Sequence, residues 1–91
     1  MKFGDDEQIK ATILYHLRRK KVIGGKHTAF DTLKMGFPSH LGKDVEGIAK
    51  DLIKKGFIIS KPTSYGQQVS LNKDKIVEIE DFIKRVLKSD F

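Results

Sequence analysis

The chain of 91 residues contains no cysteine and no long apolar run. Without cysteine it can form no disulfide, no thiolate nucleophile and no cysteine-ligated zinc site. No stretch approaches the roughly 18 consecutive apolar residues that a membrane-spanning helix requires. Residues 1–7 are acidic overall and lack the apolar centre of a signal sequence. These absences predict a cytoplasmic protein with no contact to a membrane.

Catalytic and metal-binding residues are also sparse. The three histidines, His16, His27 and His40, fall on different predicted elements, with no cysteine and no suitably spaced carboxylate to complete a metal site. Residues 24–28 (GGKHT) lack the upstream glycine of a phosphate-binding loop and have histidine where serine or threonine should follow the lysine. No nucleophile can be paired with a base. We therefore expect a protein that is not an enzyme and that holds no metal and no cofactor.

Positive charge is what the chain has in excess. Its 18 Lys and Arg residues against 12 Asp and Glu give a net charge of +6 at pH 7. The length predicts a single domain over residues 1–91, with one small core and no deep substrate cavity. A basic excess on such a domain favours polyanionic partners, nucleic acid in particular. A lysine-rich surface that only maintains solubility is the alternative.

The spacing of apolar residues predicts the secondary structure. Asp5, Ser39 and Asn72 are the expected helix N-caps, and Gly24, Gly36 and Gly56 follow the expected helix ends. Residues 57–61 and 67–71 are predicted strands, separated by a turn-rich segment in which Pro62 ends the first strand. Lys26 and His27 could form a very short strand. The predicted elements are helices over about 5–21, 28–35 and 39–55, a hairpin over about 57–71 and a C-terminal helix over about 73–88.

This order of elements resembles the winged-helix family of helix-turn-helix proteins, including small stand-alone archaeal members. Residues 36–39 (GFPS), between the second and third helices, and residues 51–58 (DLIKKGFI), at the passage into the hairpin, carry the resemblance. It covers about residues 5–71 and implies an α+β fold: a winged helix-turn-helix with a three-helix core, an antiparallel hairpin wing and an added C-terminal helix. It also implies that the third helix enters the major groove of double-stranded DNA and that the hairpin tip touches the backbone or the minor groove.

The third helix has a basic line opposite its apolar stripe when residues are placed 100° apart. Lys43, Gly47, Lys50 and Lys54 form this line, and the acidic residues lie on its flanks. Aligned lysines suit phosphate contact, although lysine is also ordinary on exposed helix faces. Gly47 either lets a ligand approach or permits tight packing within the protein. The predicted DNA-binding residues are Ser39, His40, Lys43, Gly47, Lys50 and Lys54 on the helix, and Lys61, Thr63, Ser64, Tyr65 and Gln67 on the wing.

The expected mode of binding is largely independent of sequence. The third helix contains no Arg, Asn or Gln, the side chains that most often read base edges. We therefore expect modest affinity and strong salt dependence, in a possible transcriptional regulator. Tyr65 either contacts nucleic acid or packs against the hairpin. The basic run 18–21 is interpreted as a solvated helix end.

A protein-interaction module is the alternative function. Ile76, Ile79, Ile83 and Val86 have the 3-4-3 spacing of a coiled-coil seam. With Phe82, and with Phe91 as an extension, they form a possible face for a protein partner or a homodimer, and a two-fold dimer would match a palindromic site. The same face could instead pack on the first helix. An exposed apolar patch of several hundred Å² would favour docking. RNA is less favoured because no aromatic sheet platform is visible.

Overall fold

The computed structural model describes residues 5–88, so Phe91 lies outside the described residues. The elements combine helices with an antiparallel sheet, which confirms the α+β class. In chain order they are α1 (Asp6–Arg19), β1 (Thr28–Ala29), a 3₁₀ helix (Phe30–Lys34), a second 3₁₀ helix (Ser39–Leu41), α2 (Gly42–Lys54), β2 (Ile58–Thr63), β3 (Gly66–Leu71), a third 3₁₀ helix (Lys73–Lys75) and α3 (Ile76–Leu87).

The three strands form an antiparallel sheet in the order β1-β3-β2. β2 and β3 pair from Ile58 opposite Leu71 to Thr63 opposite Gly66. The prediction that Pro62 ends the first strand is wrong, because β2 continues through it to Thr63. β2 lies at the edge of the sheet, where the missing N–H of a proline is tolerated.

The predicted helix over residues 28–35 is replaced by β1 and a 3₁₀ helix. Thr28 and Ala29 pair with Val69 and Gln68 of β3, which removes them from any helix. Five of the remaining six residues, Phe30–Lys34, form the 3₁₀ helix. The Thr32 hydroxyl donates to the carbonyl of Ala29, the residue before this helix, at 2.7 Å. The short strand itself comes two residues later than the predicted Lys26 and His27.

Of the predicted N-caps, Asp5 caps α1, and Asn72 caps the third 3₁₀ helix, which leads into α3. The Asp5 carboxylate accepts from the Gln8 N–H at 2.8 Å, and the Asn72 side chain accepts from the Asp74 N–H at 3.0 Å. Ser39 is not a cap: it starts a 3₁₀ helix, makes no side-chain capping bond, and α2 begins only at Gly42.

Glycine ends α2 as predicted, but not α1. Gly56 adopts φ +83°, and the next N–H, that of Phe57, donates to the Leu52 carbonyl at 3.0 Å. α1 ends at Arg19, well before Gly24, because Lys21 itself takes a left-handed φ of +57°. A lysine here does what glycine usually does.

One hydrophobic core joins the helices and the sheet. It is closed by α3, whose Ile79 and Ile83 are fully buried and whose Glu80 accepts from Arg18 of α1 at 2.6 Å. The proposed partner seam is therefore corrected: Ile79 and Ile83 are core residues, and Ile76, Phe82 and Val86 are half-buried beside them. The residues of this core cluster are Ile9, Ile13, Leu14, Leu17, Val22, Phe30, Leu33, Val45, Ala49, Leu52, Ile58, Val69, Leu71, Ile79 and Ile83. Among residues 5–88, no helix has the length and apolar character to cross a membrane.

His16 is a half-buried histidine at the edge of this core. Its ring lies edge-on to Phe37 at 5.9 Å between centroids, and it sits against Gly36, where an added Cβ would come within 3.1 Å of its Cε1. Burial lowers the pKa of His16 below its ordinary value of 6.5, and the nearby charges of Lys20 and Arg19 lower it further.

This pKa makes stability depend on pH. Because the folded state holds the His16 proton less tightly than the unfolded state does, the His16 contribution is fully present above pH 6.5 and is lost as pH falls below it. We expect the free energy of unfolding, measured by denaturant titration from about pH 8 to about pH 5, to fall through this window in wild type and less so in His16→Gln. His27→Gln, at an exposed position, should behave as wild type. An equal pH dependence in all three proteins would contradict the assignment.

Candidate nucleic-acid interface

The rotation of α2 is fixed by its buried side. Val45, Ala49 and Leu52 are fully buried. Because successive residues are about 100° apart, this places the predicted basic line on the opposite side, and all four of its members are exposed. We call this set the outer line: Lys43, Gly47, Lys50 and Lys54.

Two of the three acidic residues of α2 are paired with lysines outside the outer line. Glu46 pairs with Lys34 at 3.3 Å, and Asp51 pairs with Lys55 at 3.0 Å, so each has a basic partner elsewhere. None of the three lysines of the outer line forms an ion pair with a described residue. Their charges are therefore available to an external anion.

The two flanks of the outer line differ in charge. A shallow groove between α1 and α2 runs along one flank, and its lining combines acidic and basic residues: Asp6, Lys10, Lys43, Asp44, Gly47, Ile48 and Asp51. The opposite flank carries Glu46, whose charge is matched by Lys34. A polyanion would meet the least repulsion over the outer line and on the side of Lys34, away from α1.

Gly47 faces open space. A Cβ added there would meet nothing within 4 Å. Tight packing inside the protein, one of the two interpretations of this residue, is therefore ruled out among the described residues. At Gly47, near the middle of the outer line, no side chain covers the backbone of α2.

Ser39 and His40 lie on the 3₁₀ helix before α2 and are exposed. Ser39 lines a small groove with Lys34, Met35, Phe37, Pro38 and Gly42. Met35 is 65% exposed, and the sequence analysis did not identify it. A single methionine before a glycine gives no periodic signal, so only the structure reveals its exposure.

The predicted wing residues are divided between the two faces of the hairpin. Lys61 and Thr63 share one face, since side chains alternate along a strand. Gln67 lies on the other face and donates from its amide to the Ser60 hydroxyl. The Thr63 hydroxyl holds the turn by donating to the Gly66 carbonyl at 2.7 Å and accepting from the Tyr65 N–H at 3.2 Å.

Tyr65 is the most exposed large hydrophobic side chain among residues 5–88. With Ser64 it forms the tip of the hairpin, and 94% of its surface is accessible. It therefore does not pack against the hairpin, which was one of the two interpretations drawn from the sequence. The positive φ that this turn requires, +110°, falls on Gly66.

The candidate interface therefore consists of two groups of residues, the outer line of α2 and the hairpin tip. Among the described residues, no hydrogen bond or ion pair connects the two groups. Within residues 5–88, no cluster of His, Asp or Glu side chains could hold a metal ion. No family model matches the chain, and no curated protein or solved structure is significantly similar to it. Its function has to be inferred from the geometry and charge of these groups.

Gly47 should lower the stability of the protein. A glycine inside an exposed helix costs about 0.5–1 kcal/mol relative to alanine, and no contact offsets this cost. Gly47→Ala is therefore expected to raise the free energy of unfolding by about that amount. Gly56→Ala, at φ +83°, is the matched control and should lower it by about 1 kcal/mol. Chemical denaturation measures both, and a destabilised Gly47→Ala would show that the position is not open.

Proposed function

We propose that the chain is a winged-helix protein that binds double-stranded DNA through α2 and the β2–β3 hairpin, in the regulation of transcription. One observation carries the proposal: three exposed lysines of α2 lie on one line without an acidic partner. The order of elements, with α2 directly before an antiparallel hairpin, is compatible with a winged helix. The helix before α2 departs from the usual helix-turn-helix pair, since it is reduced to the 3₁₀ helix Phe30–Lys34.

The dimensions of α2 suit a DNA groove. At 1.5 Å per residue, the outer line extends about 16 Å from Lys43 to Lys54, and the major groove is about 12 Å wide and admits an α-helix. Lysines at both ends and near the middle would contact phosphates, while Gly47 lets the DNA approach the helix surface closely. Since the line contains no Arg, Asn or Gln, the side chains that most often read base edges, the binding should depend on charge far more than on sequence.

Tyr65 supplies the second contact. Its side chain is 94% exposed and so is available for a partner. A phenol can stack on a sugar or base while its hydroxyl bonds to a phosphate. At the tip of a two-stranded projection it reaches beyond the core. This arrangement fits the role that a wing would have beside a groove.

A docking module that uses α3 remains the alternative and has less support. Its two central isoleucines are buried in the core. The large apolar side chains that residues 5–88 leave exposed are spread over four segments rather than gathered on α3: Met35, Ile59, Tyr65 and Val77. Such scattered exposure is ordinary for a protein surface.

Charge reversal on the outer line tests the proposal. Binding of labelled random-sequence duplex DNA should weaken about tenfold in each of Lys50→Glu and Lys54→Glu. The slope of log affinity against log salt should become shallower by about 1 for each phosphate that the variant no longer binds. Lys84→Glu on α3 changes the net charge equally and is the control, expected to remain close to wild type.

Two results would refute this proposal. One is the absence of binding by folded wild type at low salt. The other is an equal reduction of affinity in all three variants, which would mean that only net charge matters.

Tyr65→Ala should separate binding from stability. Because the side chain is almost fully exposed, its removal should change the free energy of unfolding by less than about 0.5 kcal/mol. Affinity for duplex DNA should fall by about fivefold, the equivalent of one hydrogen bond. Val77→Ala, which removes another exposed apolar side chain on α3, should leave both unchanged. Wild-type affinity in Tyr65→Ala would remove the tip from the interface.

A further inference from the structure

The basic excess of the chain is concentrated in one segment. Residues 8–30 contain six Lys and Arg side chains and no Asp or Glu, which equals the net charge of +6 of the whole chain. The rest of the sequence has as many acidic as basic residues. α2 is itself balanced, with three lysines and three acidic residues. The strongest positive potential is therefore expected outside α2.

The structure gathers most of this charge around the reversal that follows α1. Arg18 is directed to Glu80 of α3. Arg19 is the last residue of α1 and Lys20 is its C-cap, so the run 18–21 lies at the helix end, as predicted. Arg19, Lys20 and Lys21 are exposed there. Lys73 joins the group from the start of the third 3₁₀ helix, its Cδ lying 3.9 Å from where a Cβ of Gly24 would be. We call the exposed set the loop surface: Arg19, Lys20, Lys21, Lys26 and Lys73.

The charges of the loop surface are not neutralised by the protein. None of its members forms an ion pair with a described residue. The nearest acidic residues in sequence, Asp31 and Asp74, are exposed and unpaired with it. The basic charges also act on His16, whose pKa is lowered by burial first and then by Lys20 and Arg19.

The loop surface lies at the opposite end of the sheet from the hairpin tip. The Leu71 N–H donates to the Val22 carbonyl at 2.9 Å, and the Gly24 N–H donates to the Leu71 carbonyl at 3.1 Å. Leu71 is the last residue of β3, whereas Gly66 at the tip is the first. Five strand intervals separate the two ends by about 17 Å. The tip and the loop surface are therefore two separate surfaces of the protein.

The composition of the loop surface selects the class of partner. It contains none of the exposed large apolar side chains of residues 5–88. Protein interfaces usually have an aromatic or aliphatic centre, and a surface that inserts into a membrane needs apolar residues beside its charges. A cluster of Lys and Arg with two glycines and no apolar anchor fits the phosphate backbone of nucleic acid.

The backbone at Lys21 is a second indication. Its φ of +57° favours glycine, and among residues 5–88 the other non-glycine residue with positive φ is also a lysine, Lys88. The fold would gain from a glycine at Lys21, which would also remove one of the charges. A lysine is present here although the backbone favours a different residue.

We propose that the loop surface is a second phosphate-binding surface, which holds the backbone of another duplex segment while α2 and the hairpin hold the first. One molecule would then bridge two DNA segments. The bridging rests on the proposed function of α2, whereas the binding of a duplex by the loop surface does not.

The test compares three variants of the full chain. The loop variant combines Lys20→Gln, Lys21→Gly and Lys26→Gln, and the α2 variant combines Lys50→Gln with Lys54→Gln. The control combines Lys84→Gln, Arg85→Gln and Lys88→Gln, which removes as many charges as the loop variant from neither surface. Thermal unfolding checks that each protein is folded. Lys21→Gly alone should not reduce stability, because its φ favours glycine.

Two readouts distinguish the surfaces. The first is the affinity for one short duplex at several salt concentrations. The second is the capture of a labelled duplex by a different duplex immobilised on beads, which requires bridging. The loop variant should still bind the single duplex but fall at least about tenfold in capture. The α2 variant should also fail to capture and retain weaker, salt-dependent binding. The control should match wild type in both.

The outcomes separate this proposal from the previous one. If the loop variant captures duplex DNA at the wild-type level, the proposal of a second surface is refuted. A dimer that bridges two duplexes through its two α2 faces would give this result. If the loop variant loses all duplex binding while the α2 variant loses none, the loop surface is supported as a DNA site and the role of α2 is refuted. Binding to vesicles with anionic lipid but not to DNA would overturn both.

Discussion

The arrangement of this protein depends on β3, which is hydrogen-bonded along both edges. On one side it pairs with β2 over its full length, and on the other with β1 and then with the segment that follows α1. Its last residues, Val69, Ser70 and Leu71, are buried. The Ser70 hydroxyl donates to the Gly24 carbonyl at 3.1 Å, which fixes the reversal after α1 against the strand. Because one strand organises both the hairpin tip and the loop surface, the two are held at a set separation.

The small core leaves little apolar surface for other purposes. In a domain of this size nearly every large apolar side chain is needed to cover the others, and α3 contributes Ile79 and Ile83 fully to that end. What remains outside is charge, and its distribution differs between surfaces. The acidic residues of α2 are mostly matched by lysines at its flanks, whereas the reversal after α1 has no acidic residue of its own. The external chemistry of the protein is therefore largely electrostatic and sensitive to salt.

Local sequence patterns predicted the features that depend on local interactions. The course of α1 and α2, the caps at Asp5 and Asn72, the end of α2 at Gly56 and the hairpin all follow from residues within a few positions of each other. The pattern failed where a distant partner decides. Thr28 and Ala29 became a strand because β3 was available to them, and Pro62 stayed in β2 because that strand lies at an edge. The apolar face of α3 could be identified from sequence, but not the surface that covers it. Likewise, periodicity placed the lysines of α2 on one line, but the open surroundings of Gly47 and the exposure of Tyr65 required coordinates.

Among residues 5–88, Gly47, Lys21 and Lys88 occupy positions where the backbone favours another residue, and the mismatch at Gly47 is the opposite of that at the two lysines. Gly47 lies inside an exposed helix, where alanine would be more stable, and Lys21 adopts a left-handed conformation, where glycine would be more stable. Neither is explained by packing: Gly47 faces open space and Lys21 is exposed. Each lies within one of the two proposed phosphate-binding surfaces. At Gly47 a missing side chain brings a ligand closer, and at Lys21 an added charge attracts it. The proposed contact with an external polyanion would account for Gly47 and Lys21, but not for Lys88, which ends α3 and lies on neither surface.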